Sequence, residues 1–119
     1  MAVYCKDLDE TARFYTDVIG MPVINVIDNR DVPESTHMNV DIGNNMALSF
    51  FDFPHIPRLN EFATEGVGNV MHIAIAITPA RFAEVRSSLD KSGTEYQEVG
   101  GSIYVRDPNH LNLELLPME

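Results

Sequence analysis

Two side chains have the type and the setting for metal chemistry. His72 lies in Met71-His-Ile-Ala-Ile-Ala-Ile77, and Glu114 lies in Leu111-Asn-Leu-Glu-Leu-Leu116. Both runs alternate with the two-residue period of a strand. His72, Ala74 and Ala76 then share one face, and Ile73, Ile75 and Ile77 the other. Leu111, Leu113 and Leu115 likewise form a core face, opposite Asn112, Glu114 and Leu116. The large aliphatic sets must face helices, while a histidine beside two alanines leaves room for a ligand. A carboxylate flanked by leucines is costly to bury unpaired, and a neighbouring cation removes that cost. Imidazole plus carboxylate suits zinc, iron(II), manganese or nickel. The ordinary alternatives are a core histidine and a solvated glutamate on the last strand.

Other residues could serve the same face. His37, in Ser35-Thr-His-Met-Asn39, is a candidate acid–base group, with a surface strand histidine as the plain alternative. Tyr104 is a second catalytic candidate. It and Tyr4 could orient a phenolic or acidic substrate, or simply pack with their hydroxyls satisfied. Alternation in Met46-Ala-Leu-Ser-Phe-Phe-Asp-Phe53 puts Ser49, Phe51 and Phe53 on the ligand face and Phe50 in the core. Ser49, Phe51, Phe53 and Tyr4 are therefore the substrate-binding candidates. His55 sits among prolines and reads as solvent exposed.

Positioning these groups requires a regular scaffold. Residues 2–5 read as a strand. Asp7 or Asp9 can cap a helix, with Glu10 three residues after Asp7 as in a capping box. Leu8, Ala12, Tyr15 and Ile19 mark one helical face, Gly20 ends the helix and Pro22 prevents its resumption. Strands are expected at Val23–Ile27, Thr36–Ile42 and Met46–Phe53, with Gly43-Asn44-Asn45 as a hairpin turn. Residues 55–69 read as a linker, with a short helix near Leu59–Phe62. The order then repeats. Val70–Ile77 is a strand, Thr78-Pro79 opens a helix carrying Phe82, Val85 and Leu89, and Gly93 closes it. Strands follow at Glu95–Val99, Ser102–Val105 and Leu111–Leu116, the last two joined by Asp107-Pro108-Asn109-His110. The chain is thus expected to be one domain of two modules, 1–54 and 70–119, each β-α-β-β-β, packing against each other or another subunit.

Aligning the two modules locates the site. Met1–Cys5 matches Ile73–Ile77 at an offset of 72 residues, and Gly20 and Gly93 agree with it to within one. The position matching His72 then falls just before Met1. A histidine there would complete a two-histidine, one-carboxylate face with open positions for a substrate and dioxygen. Ser49 matches Glu114 and is a poor ligand.

Composition narrows the classes. The 119 residues carry a formal net charge of −10, which repels phosphate backbones and argues against a nucleic-acid partner. The longest apolar run, Val70 to Ile77, is far shorter than the roughly 20 residues of a membrane span, so no membrane partner is expected. No signal peptide is visible, because Lys6, Asp7, Asp9 and Glu10 follow the first residues. The single cysteine, Cys5, cannot form an internal disulfide; it reads as a buried thiol in a cytoplasmic protein.

Three stretches resemble a known superfamily. Asp7-Leu-Asp-Glu-Thr-Ala-Arg-Phe-Tyr-Thr-Asp-Val-Ile-Gly-Met21 resembles the opening helix of glyoxalase, bleomycin-resistance and extradiol-dioxygenase proteins. Met71–Ile77 resembles the start of their second module. Ser102-Ile-Tyr-Val-Arg-Asp-Pro-Asn-His-Leu-Asn-Leu-Glu114 resembles their closing hairpin. This similarity to the vicinal oxygen chelate superfamily implies an α+β fold, two βαβββ modules forming a cupped mixed sheet around a divalent metal. His72 matches the ligand histidine that opens the second module, and Glu114 the ligand glutamate of its last strand. Ser49 stands where glyoxalase I-like members carry a further acidic or amide ligand, which leans towards the three-ligand pattern of extradiol dioxygenases and fosfomycin-resistance transferases. His110 replaces the usual turn glycine, a position histidine tolerates.

The resemblance implies a metal-dependent enzyme similar to type I extradiol ring-cleaving dioxygenases, acting on a small hydrophobic or aromatic substrate. Iron(II) is the favoured ion, with zinc, manganese or nickel as alternatives and none if the site is incomplete. Two other functions are compatible: a metal-free, bleomycin-resistance-like ligand-sequestering protein, and a glyoxalase-type lyase or isomerase. A homodimer is expected.

Overall fold

The structure, a computed structural model, describes residues 1–28, 35–54, 56–57 and 66–118. The chain divides into two compact units, Met1–Arg58 and Leu59–Glu119. That division falls inside the stretch read as a linker, but His55 and the helix expected at Leu59–Phe62 lie outside the described residues.

The first unit begins with β1 (Ala2–Tyr4), α1 (Leu8–Arg13) and a π-helical continuation, Phe14–Ile19. Asp7 is the cap: its side chain accepts from the Glu10 backbone N–H at 3.0 Å. Gly20, at φ 78°, ends the helix, and the Met21 N–H reaches back to the Tyr15 carbonyl. The expected face was Leu8, Ala12, Tyr15 and Ile19. Tyr15 and Ile19 are buried, but so are Thr11 and Phe14, while Leu8 and Ala12 are half-buried. The π turns widen the helix and shift which side chains meet the sheet. Cys5 is buried, with its Sγ 3.3 Å from the Thr11 hydroxyl.

Strands β2 (Val23–Asp28), β3 (Thr36–Gly43) and β4 (Met46–Asp52) complete a sheet of order β1-β4-β3-β2. Asn44 and Asn45 both take positive φ between β3 and β4, the conformation that suits the twist of a two-residue hairpin. Met38, Val40, Leu48 and Phe50 are buried on one face, where the Phe50 ring packs 5.0 Å from Tyr15.

The second unit repeats this plan with β5 (Ile73–Ile77), α2 (Pro79–Ser92), β6 (Tyr96–Val99), β7 (Ser102–Arg106) and β8 (Asn112–Pro117), in the order β5-β8-β7-β6. Thr78 caps α2 through its hydroxyl, Pro79 opens the helix and Gly93 closes it at φ 70°. Phe82, Val85 and Leu89 are buried, as are Ile75, Ile77, Ile103, Val105, Leu113 and Leu115. Several strands are shorter than expected. The run Val70–His72 precedes β5, because β8 is its partner and pairs with it only from Ile73–Leu113 onwards. Phe53, Glu95 and Leu111 likewise fall just outside their strands. His110 takes φ 69° in the β7–β8 turn, as the turn requires. Asp107 is buried there and its Oδ1 accepts from the N–H groups of Asn109 and Leu111 at 2.8 Å each.

Candidate functional site

In the second unit, helix α2 serves the leucine–isoleucine face, and the opposite face of the sheet carries polar groups. Glu114 sits between buried Leu113 and Leu115, so its side chain points away from the core. Its neighbours across the sheet are Ala74 on β5 and Tyr104 on β7. The short alanine leaves space into which His72, just ahead of β5, leans. His72 Nε2 lies 3.1 Å from Glu114 Oε1, and the two side chains retain only 25% and 17% of their exposure. The other carboxylate oxygen, Oε2, accepts from the buried Ser102 hydroxyl at 2.8 Å.

Tyr104 completes the group. Its ring stands edge-on to His72, with centroids 5.6 Å apart and planes at 86°. Partial burial holds its phenol above the ordinary tyrosine value, and the negative charge of Glu114 and a hydrogen bond to that carboxylate add to the effect. The proton therefore stays on the phenol, which acts as a donor. A cavity of about 730 Å³ opens beside this group, lined among others by His72, Gln97, Tyr104, Arg106 and Asn112.

The donor set fits a divalent first-row ion in two of its positions. Nε2 and Oε1 are separated by a distance that two cis ligands take around one ion when each is bound at about 2.1 Å. Nitrogen plus carboxylate oxygen is the chemistry such ions accept. Among the described residues His72 Nδ1 is buried with no hydrogen-bond partner, and the ring proton is placed on Nε2 facing Glu114. An ion at Nε2 would leave the ring proton on Nδ1. Among the described residues no group of three or more His, Cys, Asp or Glu side chains converges, so other ligands must complete the coordination.

The remaining candidates lie together on one face of the first unit's sheet. Tyr4 and His37 both pair with Phe51 across the strands. The His37 and Phe51 rings stack at 4.7 Å and 18°, Phe51 meets Phe53 at 5.7 Å, and Tyr4 meets Phe53 edge-on at 6.0 Å. One pair along, Ser49 lies between Ala2 and Asn39. Its hydroxyl donates to Asn39 Oδ1, and Asn39 Nδ2 donates to Asn25 Oδ1 at 2.7 Å. Ser49 is thus part of an amide ladder.

The structure therefore brings His72, Glu114 and Tyr104 together, and separately Tyr4, His37, Ser49, Phe51 and Phe53. Sequence reasoning did not single out Ser102 or Asn39. Each was findable: Ser102 is two residues before Tyr104 on the same strand face, and Asn39 is two after His37.

Known proteins with this architecture come from several activities. The Leishmania major trypanothione-dependent glyoxalase I superposes with a TM-score of 0.75 at 22% identity, over 98% of this chain and 83% of that one. A glyoxylase/bleomycin resistance protein/dioxygenase domain from Frankia sp. EAN1pec gives 0.76 at 14% identity, over 100% and 94%. A variant of the fosfomycin resistance protein FosX from Listeria monocytogenes, bound to Mn(II) and 1S,2S-dihydroxypropylphosphonic acid, gives 0.68 at 18% identity, over 100% and 90%. At these identities the likeness is one of fold. No curated protein matches the sequence. The family model described as Glyoxalase/Bleomycin resistance protein/Dioxygenase superfamily matches residues 1–115, and with two β-α-β-β-β units in place the chain belongs to that superfamily.

Proposed function

We propose that this protein is a divalent-metal-dependent enzyme acting on a small molecule that presents oxygen atoms to the ion, with His72 and Glu114 as two of the protein ligands. The observation that carries this reading is the 3.1 Å approach of Nε2 to Oε1 on a half-buried sheet face. A divalent ion there would supply Lewis-acid polarisation of a substrate oxygen. Ser102 holds the far oxygen of Glu114. Tyr104, hydrogen-bonded to the Glu114 carboxylate and edge-on to His72, is the proposed catalytic side chain beside the ligand pair. Taken by itself, the first unit offers a second candidate surface: Phe51, Phe53 and Tyr4 for an apolar or aromatic group, His37 as its proposed acid–base group, and Ser49 with Asn39 as its polar margin.

Mn(II) is the ion in the FosX complex and is the first to test. The extradiol-dioxygenase form of the reading takes iron(II) and a catechol. A homodimer in the cytoplasm completes the proposal; light scattering should give twice the chain mass.

Elemental analysis tests the central claim. Protein purified without added metal should carry about one divalent ion per chain, by the stoichiometry of one ligand pair. Iron-loaded anaerobic protein should then turn over a catechol panel when oxygen is admitted. Silence across the panel removes the dioxygenase form and leaves the lyase or isomerase form, in which the ion stabilises an enediolate-type charge.

A second reading rests on the absence of a three-residue ligand cluster among the described residues. It is a metal-free, ligand-sequestering protein like bleomycin-resistance proteins. Absence of stoichiometric metal, together with tight binding of a bulky ligand by the metal-free protein, would establish it in place of the first.

A further inference from the structure

A carboxylate on a strand can rotate about its last bond, and only one of its oxygens faces His72. Something must decide which. Ser102 opens β7, with 7% of its surface exposed, and its hydroxyl donates to Glu114 Oε2 at 2.8 Å. A buried hydroxyl facing a carboxylate has one strong use, a charge-assisted hydrogen bond. Cross-strand pairing places Tyr104, two residues further along β7, directly opposite Glu114. Ser102 therefore reaches the carboxylate diagonally, from the side away from His72. Val99 pairs with Ser102 on the neighbouring edge strand, and an apolar neighbour offers the hydroxyl no competing acceptor in its side chain.

We propose that Ser102 is a positioning residue: its hydrogen bond to Oε2 fixes Glu114 so that Oε1 is the atom presented, beside His72 Nε2, to a divalent ion. The proposal rests on the reading of His72 and Glu114 as ligands. Ser102 does not touch the ion or the substrate. It acts by removing the rotational freedom of Glu114 before binding and by satisfying the oxygen that the ion leaves unused. Groups of this kind set metal affinity by about 10–100-fold.

Calorimetric titration with Mn(II) tests it on the full chain, comparing the wild type with Ser102→Ala, Ser102→Thr and Glu114→Ala. Ser102→Ala should weaken Mn(II) binding by about 10–100-fold while the metal-free protein stays folded by circular dichroism. Ser102→Thr keeps the hydroxyl on a residue suited to strands and should restore affinity to within a few-fold of the wild type. Glu114→Ala should bind no ion. Equal affinity of wild type and Ser102→Ala would overturn the positioning role and leave the ligand reading intact. So would a loss in Ser102→Ala that Ser102→Thr, equally stable, fails to restore. A wild-type chain that binds no Mn(II), iron(II), zinc or nickel would overturn the ligand reading and this proposal with it.

Discussion

Ser49 and Glu114 occupy the same place in two sheets built alike. Ala2 lies beside Ser49 as Ala74 lies beside Glu114, and Asn39 faces Ser49 as Tyr104 faces Glu114. His37 and Ser102 also correspond, each two residues before that facing partner. On the first sheet these places hold a serine–amide ladder and a histidine stacked on Phe51. On the second they hold a carboxylate bonded by a histidine and a serine. One step along each strand, Phe50 and Leu115 are equally buried. The core faces are alike in kind, while the opposite faces share the alanine and differ at the other three positions. Backbone and core set the fold, and a few alternating positions set the chemistry.

The comparison can be broken most sharply at Glu114 itself. Glu114→Ser writes the first sheet's residue into the second and should abolish stoichiometric metal in elemental analysis, with far-ultraviolet circular dichroism unchanged. Retained metal would mean that the two faces do not differ in the way described.

The core faces of the two units, each taken by itself, should respond alike. Phe50→Ala should cost about 3–5 kcal/mol and Leu115→Ala about 2–5 kcal/mol in urea unfolding, because each leaves a cavity under a fully covered face. A cost near zero at either position would show that its side of the sheet is not closed.

The helix caps form a weaker matched pair. Asp7→Ala removes the acceptor of the Glu10 N–H and Thr78→Ala that of the Arg81 N–H, and each should cost about 1 kcal/mol. Thermal melts of the two variants should shift by similar amounts. A clearly larger shift for Thr78→Ala would tie the asymmetry to the regular helix α2 as against the π-widened first helix.

The smallest effect concerns the helix side of the second unit. Tyr96 donates to Asp90 Oδ1 at 2.6 Å, and this bond, followed by burial, raises its phenol above the ordinary value of 10.0. The folded state therefore favours the protonated phenol. Its contribution to stability is full below the ordinary value and is lost as pH rises through the raised one. Ultraviolet titration of the wild type should show late ionisation of both Tyr96 and Tyr104, and Tyr96→Phe should reduce the late amplitude by one tyrosine. An unchanged late amplitude would assign the late step to Tyr104 alone.

Much of this was legible in residue order because it depends on periods and local chemistry. Alternation alone assigned Leu113 and Leu115 to the core and Glu114 to the other side, and separated Phe50 from Phe51. Capping residues and positive-φ turns announced both helices and the hairpins. The helical face of the first unit was less legible. A four-three-four spacing presumes a regular α-helix, and the π turns from Phe14 to Ile19, which follow the α-helical turn carrying Thr11, leave no mark in the apolar period. The start of β5 was misjudged for a similar reason. Val70 and Met71 have the side chains of a strand, but a strand also needs a neighbour, and β8 offers none before Ile73.

By itself, then, the order of residues determined the repeated β-α-β-β-β plan, the composition of each core face and the candidacy of a histidine and a glutamate. These follow from the two-residue and 3.6-residue periods and from turn chemistry, all of which act over short distances along the chain. Only the tertiary structure decided that His72 meets Glu114, and that Ser102 and Tyr104 attend the same carboxylate. Those contacts join residues up to 42 positions apart, and they are fixed by strand register, which no local pattern encodes.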